Sequence, residues 1–150
     1  MRFIADRAFA SSASANTAES TRSHLKYVEL PPSLRYIGVG AFQQIRNLGA
    51  DFELPEGLLA IGDEAFFKSW AEDNTVKSIR IPGSVAGIGQ RAFSEFNTSI
   101  ETFQFGNASS PSRLSHLGST SFMADDPTGA IIFALTSDIT ISNVSLPENF

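Results

Sequence analysis

His24 and His116 are the only imidazoles in this 150-residue chain, and it has no cysteine. General acid–base and nucleophilic catalysis need a second group within hydrogen-bond reach of the first. His24 lies in a Ser-rich stretch and His116 between Leu114 and Leu117, on the expected outside of the fold, and neither belongs to a recognisable catalytic grouping. No GxSxG elbow, HExxH pair or phosphate-cradling glycine loop occurs. The acidic pair Asp125 and Asp126 precedes a Pro-Thr-Gly turn. A calcium loop needs more oxygen ligands at regular spacing, so a plain turn is the expected use. The expectation is a protein that is not an enzyme, holds no metal and needs no cofactor.

Composition narrows the partners. A formal charge of -5 and no cluster of Lys or Arg argue against a nucleic-acid partner, because phosphate recognition needs grouped cations. No apolar run reaches the length of a membrane span, so membrane insertion is not expected. The absence of cysteine excludes disulfides and thiolate metal sites without naming a compartment. The Ser/Ala-rich start carries several Arg, as a transit peptide would, but Asp6 and Glu19 fit that poorly. Asn97, Asn107 and Asn143 stand in N-x-S/T context and would be glycan acceptors only on a eukaryotic secretory route.

The chain is unusual in having 13 Phe against two Tyr and one Trp. Phe recurs inside a motif: IADRAF at 4–9, IGVGAF at 37–42, IGDEAF at 61–66, IGQRAF at 88–93 and LGSTSF at 117–122. The spacing is 24 residues from Phe42 to Phe66 and 27 from Phe66 to Phe93. Periods of this size mark units too small to bury their own apolar face, which they bury against neighbours. Upstream of the four later motifs runs an alternating apolar segment such as SIRI at 78–81, closed by Pro31, Pro55 or Pro82, or by Gly106 in one copy, and ISNVSLPENF repeats the segment with Pro147. The alternation predicts half-buried strands, and in the copies closed by proline a residue without an N–H ends them. Gly38, Gly62, Gly89 and Gly118 are expected where a narrow coil turns sharply, and the lack of a Cβ leaves positive φ open to them. Ala8, Ala41, Ala65 and Ala92 are expected at close approaches between units. Phe9, Phe42, Phe66, Phe93 and Phe122 should form a stacked core column.

These motifs resemble the leucine-rich repeats of the BspA surface-antigen type, with a unit close to LxxIxLPxxLxxIGxxAFxxC. The resemblance runs from IADRAF to SLPENF in four fuller copies and two halves. The family's Cys is replaced by Ile45, Ser69, Phe96 and Asp125. The resemblance implies a mainly β, curved right-handed solenoid that binds macromolecules, with relatives among cell-surface and adhesion proteins.

One domain over residues 1–150 is expected, with loop insertions near 10–24, 67–75 and 123–140. The last insertion includes AIIFAL at 130–135, a candidate extra strand with no assignable place. The chain opens with half a unit and closes with half a unit. A piece of a longer surface protein is one expectation, and self-assembly by stacking of uncapped ends is another.

Outward strand positions form rows that make the candidate binding face. One row is Tyr27, Asp51, Ser78, Thr102 and Asn143, and the other is Glu29, Glu53, Arg80, Gln104 and Ser145. Trp70 is a candidate interface anchor, since exposed Trp is enriched at binding hot spots, and the alternative use is to cover the core edge. The expected partner is a protein or other macromolecular surface ligand.

Overall fold

The structure, a computed structural model, describes residues 2–11, 25–49, 51–71, 75–96, 100 and 102–122, and the strand at 132–135. Among these residues there are strands and turns and no helix, so the fold is mainly β. The expectations resting on His24, Asn97, Asp125, Asp126, Asn143, Ser145 and Pro147 fall outside the described residues.

The repeats build two parallel ladders. The first uses the apolar pair before each glycine: β1 (Phe3–Ile4), β2 (Tyr36–Ile37), β3 (Ala60–Ile61), β5 (Gly87–Ile88) and β8 (His116–Leu117). They form a five-stranded sheet in the order β1-β2-β3-β5-β8, aligning Ile4, Ile37, Ile61, Ile88 and Leu117. The sequence reading placed only a turn here. The strands are two residues long, too short for alternation to reveal them.

The second ladder holds the Pro-terminated segments. β4 (Ser78–Ile81) pairs in parallel with β6 (Thr102–Asn107), aligning Ile79 with Phe103 and Ile81 with Phe105. Pro82 ends β4 as expected from its missing N–H. In the next repeat Gly106, with φ +64°, stands in place of proline, and β6 runs on to Asn107 before reversing into the short antiparallel β7 (Ser110–Pro111). The earlier copies keep the exposed–buried alternation without forming strands: Tyr27 and Glu29 are exposed beside half-buried Val28 and Leu30, and Asp51 and Glu53 flank half-buried Phe52. The AIIFAL run supplies β9 (Ile132–Leu135), which pairs in parallel with β6 and puts Ile132 opposite Thr102 and Ala134 opposite Gln104.

The core lies between the ladders. Phe42, Phe66 and Phe93 have no exposure and Phe122 has 1%. Successive rings from Phe9 to Phe122 stack at centroid distances of 5.1, 5.2, 5.1 and 5.2 Å. Backbone bonds set that spacing: the N–H of Phe42 donates to Ala65 at 2.8 Å and that of Phe66 to Ala92 at 2.7 Å. Phe9 departs from the expected enclosure, because it ends the column and is 43% exposed. Ala8 is exposed for the same reason, whereas Ala41, Ala65, Ala92 and Ser121 are fully buried.

Trp70 is 1% exposed and packs against Phe52, Phe66 and Phe93 at 5.9, 5.4 and 6.1 Å, so it anchors the core and not an interface. Phe67 and Ser69, at the beginning of the 67–75 stretch, are buried as well. Ser69, at the family's Cys position, satisfies its hydroxyl by donating to the Phe42 carbonyl at 2.7 Å.

The aligned glycines are required for closeness, not for φ. A Cβ on Gly62 would stand 2.8 Å from the Gly38 carbonyl carbon, and one on Gly38 would meet the Asp6 backbone nitrogen at 2.7 Å. Positive φ falls two residues before each column Phe, at Arg7, Gly40, Glu64, Arg91 and Thr120.

Candidate functional site

The alternation that buries every second side chain of the Pro-terminated segments exposes the others in rows. Tyr27 is 73% exposed, and Glu29, Asp51, Glu53, Ser78 and Arg80 are exposed as well. Thr102 and Gln104 are half-buried, since β6 has β4 on one side and β9 on the other.

Residues from three successive repeats converge here. Tyr27, Glu29, Asp51, Glu53 and Arg80 line one open depression of about 300 Å³, together with Glu56 and the apolar rim of Val28, Leu30, Leu54 and Pro55. Ser78, Thr102 and Gln104 lie outside it. Arg80 forms an ion pair with Glu56, and both side chains remain well exposed. An exposed pair of this kind contributes about 0–1 kcal/mol. It takes up the one cation lining the depression and leaves Glu29, Asp51 and Glu53 without an ion pair among the described residues. The depression is therefore negative, with an exposed phenol at one side.

Glu56 escaped the sequence reading because it follows the proline, outside the alternating segment. The usable signal is Glu56 and Arg80 lying one repeat apart, with opposite charge, on neighbouring slots.

Charges near the turns are used differently. Arg91 bonds Glu64 at 3.2 Å and Glu95 at 3.3 Å, Lys68 bonds Glu95 at 2.7 Å, and Gln43 donates to Glu64 at 2.7 Å. The Arg91 guanidinium also lies 4.4 Å from the Phe67 ring centroid. This lattice ties repeats together. Asn107 likewise serves a turn, its Oδ1 accepting from the N–H groups of Ser109 and Ser110 at 2.9 and 2.8 Å.

No group of three or more potential metal ligands comes together among the described residues, and no described helix is long and apolar enough to cross a membrane. The family model for the BspA type leucine-rich repeat region matches residues 14–123 in six copies. The chain belongs to the BspA-type leucine-rich repeat family. The match spans the repeats from the one containing Phe42 to the one containing Phe122, and IADRAF precedes it. No curated protein and no solved structure matches the chain. Leucine-rich repeats usually serve as protein-binding modules and are generally non-catalytic, so the BspA-type assignment points to a protein-interaction module.

Proposed function

We propose that this BspA-type repeat chain is a non-catalytic, adhesion-type module of a cell-surface protein that binds a partner protein through the face of its Pro-terminated segments. In this reading residues 1–150 form one domain, wound as a curved right-handed solenoid, with insertions near 10–24, 67–75 and 123–140. One observation carries it: side chains from three repeats, Tyr27, Glu29, Asp51, Glu53 and Arg80, line a single exposed depression, while the alternating positions beneath them are wholly or partly buried. A backbone held by its core presents those groups with little ordering cost on binding. Unpaired carboxylates beside an exposed Tyr favour a partner segment that brings Lys or Arg.

The test is capture of binding proteins from candidate surfaces by the wild-type chain and by a face variant combining Tyr27→Ala, Asp51→Lys and Glu53→Lys. A saturable protein partner that binds wild type and is lost by the variant, at matched melting temperature, is the expected result. Retention of the same partner by the combined variant would remove the face from the account.

A further inference from the structure

The depression beside Tyr27 has a main-chain side as well as a charged one. The repeats holding Tyr27 and Asp51 are tied where the Gly49 N–H donates to the Lys26 carbonyl at 3.1 Å, and again where the Leu59 N–H donates to the Arg35 carbonyl at 2.8 Å. Between those ties the backbones of residues 27–30, 51, 53 and 54 make no hydrogen bond among the described residues. On the far side, β4 brings Arg80 to the depression and pairs with β6 along one edge, with no described strand along the other. The second ladder is thus bonded through β4, β6 and β9 and open in its two earlier copies. The opening is bounded by described chain on both sides, residues 25–30 and 76–81. Backbone groups left in this state are met by water or by a partner, and an extended segment is the partner that meets them in series.

The side chains around the opening say what such a segment carries. Tyr27, Glu29, Asp51 and Glu53 point outward, and the alternate positions Val28, Leu30 and Leu54 form the apolar part of the lining. A strand laid beside them alternates in the same way, so its outward residues meet carboxylates and its inward residues meet aliphatic groups. Glu29, Asp51 and Glu53 have no ion pair among the described residues, which leaves them for the cations of the segment. We infer that the depression takes an extended peptide segment in which Lys or Arg alternates with an aliphatic residue, held by main-chain pairing to the open backbone groups, an inference that rests on the proposed partner-binding face.

The experiment is fluorescence anisotropy with a labelled Arg-Val-Arg-Val-Arg-Val peptide, its block isomer Arg-Arg-Arg-Val-Val-Val, and two forms of the alternating peptide N-methylated at every Arg or at every Val. The proteins are wild type, the double variant Asp51→Lys with Glu53→Lys, and Ser119→Lys, a control at an exposed turn position outside the depression. The alternating peptide should bind wild type and the control saturably, and the double variant on the order of tenfold more weakly. The block isomer should bind wild type on the order of tenfold more weakly, and so should one N-methylated form but not the other, because successive N–H groups of an extended strand point to opposite edges. Equal binding of the block isomer, or of both N-methylated forms, would overturn the inference and leave the face as a site of charge attraction alone. Absence of saturable binding by the alternating peptide would overturn it too, without touching protein capture by the face. Undiminished binding to the double variant would overturn both readings.

Discussion

Phe9 and Phe42 stack at 5.1 Å with their rings 10° apart, yet Phe42 is fully buried and Phe9 is 43% exposed. The same residue type in the same repeat position thus has different energetic weight according to whether a layer covers both of its faces. Phe66→Ala should cost about 3–5 kcal/mol, the range for a large aromatic removed from a packed core. Phe9→Ala should cost well under half of that, because much of the Phe9 ring already meets water. Urea denaturation followed by circular dichroism measures both, and equal losses would contradict the layered column.

Two glycines from different repeat positions offer a contrast. Gly62→Ala places a Cβ 2.8 Å from backbone and should destabilise by about 1–3 kcal/mol, the usual cost of overpacking. A Cβ on Gly87 has nothing within 4 Å and no positive φ to resist it, so Gly87→Ala should be neutral or gain about 0.4–1 kcal/mol by stiffening the unfolded chain. Thermal melts of the two variants in one buffer decide this.

Thr120 has φ 54°, a conformation that β-branched residues rarely adopt. At the same repeat position Gly40 has φ 58°. Thr120→Gly should therefore stabilise by about 1 kcal/mol, the approximate cost of a side chain in the left-handed region. A clear drop in melting temperature would show that the Thr120 side chain, which donates to the Ser119 carbonyl at 2.7 Å, outweighs the strain.

Arg80 and Glu56 pair in the open, so Arg80→Ala should change stability by less than about 1 kcal/mol. Its larger effect should be on the negative depression, where losing the cation leaves Glu56 unpaired and speeds association with a basic partner segment. Association rates measured across a salt series for wild type and Arg80→Ala would separate these effects.

Much of this fold was legible because IG and AF recur in register, and recurrence carries information that no single copy does. The column of Phe42, Phe66, Phe93 and Phe122 could be read from that repetition. Three features could not. A two-residue strand such as Ala60–Ile61 has no alternation to display. Trp70 looked like a possible anchor because a lone Trp in a polar stretch reads the same whether it points in or out. The enclosure of Phe9 depends on which layers surround it, a relation between repeats and not a property of one. The exposure of Tyr27, Glu29, Asp51, Glu53 and Arg80 followed from period-two alternation, whereas their convergence on one depression with Glu56 required the third dimension.

The most direct test of the partner-binding face is site-specific photo-crosslinking to the captured partner, with the photoreactive side chain placed at Tyr27, at Glu53 or at Ser119. The account predicts covalent adducts from Tyr27 and Glu53 and none from Ser119. Adducts from Ser119 with none from Tyr27 or Glu53 would contradict it.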